Sequence, residues 1–206
     1  MAGEEHLAAG ACCHLLFPLH LHMNRTDYSP HVFTIDDLIT PEACADFITQ
    51  SEKKGYNEAT ITTERGPKLL KTVRNNSRII FVDENLAAQL WEKIQPFMKV
   101  LGNSEPVGLN EMFRFYKYEP GQAFKKHTDQ SFIRDEYEAS YYTLLIYLND
   151  DFTGGDTRFD EIVVKPRMGS ALVFLHSLEH AGSTVKKGVK YVLRTDIMYR
   201  LRGSIS

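Results

Sequence analysis

The stretch Phe113-Arg-Phe-Tyr-Lys-Tyr-Glu-Pro-Gly-Gln-Ala-Phe-Lys-Lys-His-Thr-Asp129 decides how this chain is read. Its aromatic-rich start, from Met112 to Tyr118, reads as a strand. Pro120-Gly121 then turns the chain, and the stretch ends in His127-Thr128-Asp129. On a strand, residues i and i+2 face the same way, so an imidazole and a carboxylate reach one ion together. Two imidazoles and one carboxylate on a single face of an octahedron suit Fe(II) and leave three positions open. His180, 51 positions after Asp129 (180 − 129), is the candidate third ligand, arriving from a later strand, and His176 is its rival. Each of these residues taken singly reads equally well as a core histidine or a surface pair. A chain with 8 histidines meets His-x-Asp readily by chance, so the context must decide.

Downstream, the segments Tyr141 to Asn149, Ile162 to Val164, Ala171 to Leu175 and Tyr191 to Tyr199 are rich in β-branched and aromatic residues. Gly154-Gly155, Pro166 with Gly169, and Gly188 separate them as turns. Upstream, His31 to Ile35 reads as a strand, and Thr40-Pro41-Glu42 reads as a helix start with a Thr cap and Pro at the first helical position. A second helix follows Asp83, with an apolar stripe Leu86, Leu90, Trp91, Ile94, Phe97, Met98 and Leu101. Between them lies a polar stretch that closes on the strand-like run Ile79 to Val82. Helices first and many short strands after predict an α+β arrangement, with helices against one side of a β-sandwich or barrel.

At 206 residues the chain fits one domain over residues 29–206, with residues 1–28 read as a poorly ordered extension. In that extension Glu4 and Glu5 sit where a signal peptide would be basic, and His14, His20 and His22 interrupt its apolar run. No stretch approaches a membrane span. A net charge of -3 gives no electrostatic case for nucleic acid. Three cysteines, Cys12, Cys13 and Cys44, make neither a disulfide framework nor a zinc site, which favours a reducing compartment, cytoplasm or nucleus.

The whole pattern resembles the prolyl 4-hydroxylase-like Fe(II)/2-oxoglutarate dioxygenases, from about Val32 to Arg200. The resemblance is carried by the opening stretch, by Tyr142-Thr-Leu-Leu-Ile-Tyr-Leu-Asn149, by Gly154-Gly-Asp-Thr-Arg-Phe159 and by Gly169-Ser-Ala-Leu-Val-Phe174. It closes with His180-Ala-Gly and the run from Gly188 to Tyr199. It implies a double-stranded β-helix (a jelly-roll, cupin-like barrel) buttressed by N-terminal helices, and His127, Asp129 and His180 as iron ligands. It also implies oxidative decarboxylation of 2-oxoglutarate to succinate and CO2, coupled through O2 to C–H hydroxylation, with ascorbate as an accessory reductant. Asp156 stands where the family often has Glu. The metal carboxylate that halogenating relatives lack is retained, which points to hydroxylation.

By the same resemblance the cosubstrate's distal carboxylate needs a fixed cation, because burying it unpaired costs several kcal/mol. On the last strand Lys190, Val192, Arg194 and Asp196 share one face, and Tyr191, Leu193, Ile197 and Tyr199 the other. Arg194 ranks first as the clamp, since a guanidinium binds carboxylate bidentately. Lys190, ten residues after His180 (190 − 180), ranks second, and an ion pair with Asp196 is the plain alternative for either. Tyr118 and Tyr147 match family positions that contact 2-oxoglutarate, and Thr143 and Leu145 share the face of Tyr147. Arg114, Tyr116, Arg74, Asn75 and Arg134 are candidates on the substrate side, where Arg65, Phe132 and Tyr137 also lie. Such a set suits a peptide, with peptidyl proline as the family's best-known target, or a polar small molecule. A non-catalytic metal-binding barrel and a cupin-like isomerase stay open as alternatives.

Overall fold

The computed structural model describes residues 23–58, 61–63, 66–68 and 75–203. Residues 1–22, with their histidines and two cysteines, and the candidates Arg65 and Arg74 lie outside the described residues. The proposed boundary at residue 29 is too late. Arg25–Ser29 is a strand, paired antiparallel with Val32–Ile35 through Thr26 opposite Thr34 and Asp27 opposite Phe33. Its polar composition reads as a tail, yet an edge strand needs only backbone pairing on one side.

A nine-stranded antiparallel sheet forms the frame. In spatial order it runs Arg25–Ser29, Val32–Ile35, Ala171–Leu175, Glu138–Tyr147, Lys190–Leu201, Met112–Tyr118, Ser77–Val82 and Asn57–Glu58, and Ser104–Leu109 pairs the far half of Lys190–Leu201. A smaller four-stranded sheet runs Val163–Val164, Thr157–Arg158, His180–Gly182 and Phe124–His127. The described residues are predominantly β, with two α-helices among them, α1 (Pro41–Lys54) and α2 (Glu84–Ile94). Neither is long and apolar enough to cross a membrane.

Both helices start where the sequence places them. The Thr40 side chain accepts a hydrogen bond from the Ala43 amide with Pro41 following, and the Asp83 carboxylate accepts from the Leu86 amide. The apolar stripe predicted to carry α2 on to Leu101 does not stay helical. Pro96 lacks the N–H a helix interior requires, so α2 ends at Ile94 and tightens into a 3-10 turn over Gln95–Phe97. Phe97, Met98 and Leu101 still pack against the core.

The major sheet separates two apolar clusters, because side chains alternate across it. On one face Phe113, Phe115, Leu144, Ile146, Val173, Leu193 and Ile197 pack with Cys44 of α1 and Leu86, Leu90 and Ile94 of α2. On the other, Tyr116, Tyr118, Tyr147, Leu172, Phe174 and Val192 form a second cluster. The second cluster borders the space between the two sheets.

Candidate active site

That space is a cleft with about 450 Å³ of free volume, part of it open to solvent. Strand pairing builds its chemistry. His127 lies directly opposite His180 in the smaller sheet, and Asp129 follows two residues later. Its backbone is fixed by an amide hydrogen bond to the His176 carbonyl at 3.0 Å. One potential ligand atom from each of His127, Asp129 and His180 lies within 4.8 Å of the other two. Each histidine Nε2 stands 3.7 Å from an Asp129 carboxylate oxygen.

The donor set fits a divalent ion. Ligand atoms about 2.1 Å from an ion and at right angles stand about 3 Å apart, so small side-chain rotations close the remaining gap. The ring tautomers also fit. Nδ1 of His127 lies 2.8 Å from the Lys125 carbonyl and Nδ1 of His180 lies 3.0 Å from the Leu178 carbonyl. A carbonyl only accepts, so each Nδ1 carries the proton and each Nε2 turns a lone pair toward Asp129. Burial, reinforced by the neighbouring His180, draws His127 down to about 4, and burial also lowers His180, so both rings are neutral ligands at pH 7. Burial pushes the Asp129 carboxyl up, but Arg194, His180 and the Thr143 hydroxyl outweigh it and hold it well below the usual carboxylate range. Phe124 stacks on His127 with centroids 3.5 Å apart, and Phe174 packs on His180 at 4.4 Å.

His176 does not join the ligands. Its ring is buried beside Asp196, with Nε2 3.6 Å from that carboxylate, and neither ring nitrogen has a hydrogen-bond partner.

The two cations of the last strand both line the cleft and differ in company. Arg194 reaches Asp129 at 3.1 Å and Asp196 at 3.0 Å. Lys190 is 4% exposed, and its ammonium donates to the Gly155 carbonyl at 2.6 Å. It sits 5.2 Å from the Tyr147 ring centre and 5.6 Å from that of Tyr118. Among the described residues no carboxylate forms an ion pair with Lys190. Burial pulls it down to about 7, opposed only by the more distant Asp156.

A sequence profile of the 2OG-Fe(II) oxygenase superfamily matches residues 113–195, the span that supplies all three ligands and both cations. Over that span the chain is similar to the superfamily. The chain is 23% identical over 167 residues to "Prolyl 4-hydroxylase 1" of Arabidopsis thaliana, a match covering 71% of the chain but only 58% of that protein's length. It is 25% identical to a "Putative prolyl 4-hydroxylase" of Acanthamoeba polyphaga mimivirus, covering 78% of this chain and 71% of the other. Among solved structures, the viral collagen prolyl hydroxylase of Paramecium Bursaria Chlorella virus-1 superposes with a TM-score of 0.60 at 20% identity, covering 84% of this chain and 98% of that one. A Trichoplax adhaerens prolyl hydroxylase in complex with a hypoxia inducible factor peptide superposes at 0.64 and 16% identity, with 84% of each chain covered. These establish the jelly-roll fold of the chain.

The remaining candidates separate in space. Tyr116, Tyr118, Thr143 and Leu145 line the cleft. Tyr147 is fully buried behind it, its hydroxyl 2.8 Å from that of Thr157, a lining residue. Arg114 pairs with Asp196 at 3.3 Å. Arg134 is committed to Glu111 at 2.6 Å and Glu138 at 3.1 Å. The Asn75 side chain accepts the Ala123 amide at 2.8 Å. Phe124, Thr157 and Phe174, which line the cleft, and the Gly155 carbonyl, which holds Lys190, are positions that sequence reasoning did not single out. Their only signal is the flanking of His127 and the glycine pair, neither of which tells what they touch.

Proposed function

We propose that the oxygenase couples conversion of 2-oxoglutarate and O2 to succinate and CO2 with hydroxylation of a C–H bond, and that its substrate is a peptide carrying proline. The observation that carries the reaction is the pairing of two features of one cleft. A three-ligand cluster stands in it, and so does a buried lysine with which, among the described residues, no carboxylate forms an ion pair. Fe(II), with 2-oxoglutarate and O2, supplies the oxidising chemistry when bound.

The chain's own groups do the rest. His127, Asp129 and His180 would hold the ion, and a set of three donors would leave positions for cosubstrate and O2. Lys190 binds the distal carboxylate of 2-oxoglutarate. Arg194, ranked first on sequence grounds, is the weaker candidate, because two carboxylates already surround it. Tyr118 and the Thr157 hydroxyl, held by Tyr147, flank the Lys190 end of the cleft. Leu145, Val192 and Phe174 keep water from the cosubstrate's methylenes. Helices α1 and α2 buttress the sheet from the face opposite the cleft, where Cys44 and Leu90 pack into the shared core. The peptide reading is supported by the relatives named prolyl 4-hydroxylase and by the neighbour solved with a peptide.

Anaerobic titration with Fe(II) and 2-oxoglutarate tests the reaction class. A weak visible charge-transfer band is expected only when both are present, and it should vanish in His127→Ala or Asp129→Ala along with turnover. A wild-type protein that shows no such band and releases no succinate would sink the reading. Screening proline-containing peptides for a mass gain of one oxygen tests the substrate, with small polar metabolites as the contrasting arm.

A further inference from the structure

We propose that Arg194 is a positioning residue for the iron-binding carboxylate, acting through Asp129 and not on the cosubstrate. This rests on the oxygenase reading above. A hydroxyl and a cation converge on one oxygen of Asp129. The Thr143 hydroxyl donates to Oδ2 at 2.6 Å, and the Arg194 guanidinium forms an ion pair with the same atom at 3.1 Å. Nε2 of His180 stands 3.7 Å from that oxygen, and Nε2 of His127 stands 3.7 Å from Oδ1, with which neither group is paired.

Arg194 is itself held at both terminal nitrogens, while its buried Nε has no hydrogen-bond partner. Its Nη2 donates to Asp196 Oδ1 at 3.0 Å and to the Thr143 hydroxyl at 3.4 Å, while Nη1 donates to the Tyr116 hydroxyl at 3.4 Å. Asp196 is held in turn by Arg114 at 3.3 Å, with the His176 ring closing its other flank at 3.6 Å. Register builds the chain of contacts, since Thr143 lies opposite Asp196 and Arg194 lies opposite Arg114 in neighbouring strand pairs. A carboxylate with one oxygen tied to a hydroxyl and a guanidinium is held in a fixed orientation, in which its other oxygen would be offered to the ion. That keeps the acid from wrapping the ion with both oxygens and filling a position the reaction needs open.

Charge alone predicts the reverse of positioning. A cation beside a divalent ion repels it, so if only charge mattered, removing Arg194 would tighten metal binding. Loss of a partner that orients a ligand weakens metal affinity by roughly 10–100-fold. The sign of the change therefore separates the two.

The measurement is Mn(II) affinity of the metal-free full-length protein by calorimetry, beside 2-oxoglutarate affinity of the Mn(II)-loaded protein. Arg194→Met is expected to weaken Mn(II) binding by about tenfold or more. Arg194→Lys should weaken it as well, because an ammonium keeps the charge and loses the planar fork. Cosubstrate affinity should stay within about twofold in both when Mn(II) saturates, whereas Lys190→Met should show the opposite split. Because Arg194→Met leaves Asp196 buried with less compensation, the double variant Arg194→Met/Asp196→Asn is measured too, with melting temperature reporting folding. Unchanged or tighter Mn(II) binding in these variants overturns the inference while the oxygenase reading stands. Weakened cosubstrate binding at saturating Mn(II) also overturns it, by returning Arg194 to the clamp role. A wild-type protein without Mn(II) affinity removes the oxygenase reading and this inference together.

Discussion

On the proposed function, Lys190 is the side chain whose state most directly sets cosubstrate capture. Buried among Tyr118, Tyr147 and the Gly155 carbonyl, it releases its proton near pH 7, not near its ordinary 10.5. Pairing with a carboxylate requires the charged form. Affinity for 2-oxoglutarate should therefore be flat below pH 7 and fall by about tenfold per pH unit above it, with proton uptake on binding. Stability of the free protein runs the other way. The unfolded lysine keeps its proton until about pH 10.5 and the folded one does not, so stability rises as pH climbs from about 7 toward 10.5. Calorimetry of cosubstrate binding to Mn(II)-loaded protein, at several pH values in buffers of different ionisation enthalpy, checks the first trend. Lys190→Arg should flatten it. Binding without proton uptake at pH 8.5 would mean that the ammonium is already charged in the free site.

Single residues also show how much of the site the sequence carries. His127 and Asp129 are legible from their i, i+2 spacing, although the strand ends at His127 and Asp129 lies just beyond it, and Lys190 and Arg194 because four alternating positions share a face. The choice between the two cations is not legible. It turns on Asp129 and Asp196 reaching the same guanidinium, and Asp129 lies 65 positions (194 − 129) from Arg194 in the chain. Likewise nothing local announces that Arg134 is taken up by Glu111 and Glu138.

Among the elements, the Gly154-Gly155 turn is the one whose backbone touches the chemistry. Gly155 has φ +70°, and a Cβ there would stand 2.9 Å from the Phe152 ring and 3.2 Å from Lys190 Cδ. Gly155→Ala should cost about 1–2 kcal/mol in backbone strain and push Lys190 aside. It should raise the 2-oxoglutarate dissociation constant about tenfold, the equivalent of about 1.4 kcal/mol, while Mn(II) affinity stays at the wild-type value. Paired titrations measure both, and a loss of Mn(II) affinity would place the damage at the ligands and not at the clamp. Asp83 acts at a distance from the cleft, so Asp83→Ala should cost α2 about 1 kcal/mol in denaturant melts and leave both affinities alone. Continuous apolar runs, such as Ala171–Leu175 and, in the smaller sheet, Val163–Val164, are read correctly from sequence, whereas the bounds of the other short strands of that sheet are not. Phe124–His127 and His180–Gly182 are too short to show a period, and pairing with each other is what makes them strands.

The molecule as a whole divides its labour across one sheet. Odd and even residues of the same strands serve different ends. Leu193 and Ile197 join the helix-side core, while Val192 and Arg194 line the cleft. This predicts that stability and chemistry can be perturbed separately. Leu90→Ala removes a fully buried side chain of α2 and should cost about 2–5 kcal/mol, read as a lower denaturation midpoint. Under conditions where the variant is folded, its KM for 2-oxoglutarate should match the wild type. Tyr147→Phe removes only the hydroxyl that meets Thr157, a smaller loss of about 1 kcal/mol, yet it should raise that KM because Thr157 lines the cleft. The two sites share no partner, so the double variant should lose stability additively to within about 0.5 kcal/mol. If Leu90→Ala instead shifted the KM in step with Tyr147→Phe, the sheet would be transmitting strain from core to cleft, and the separation of the two faces would be wrong.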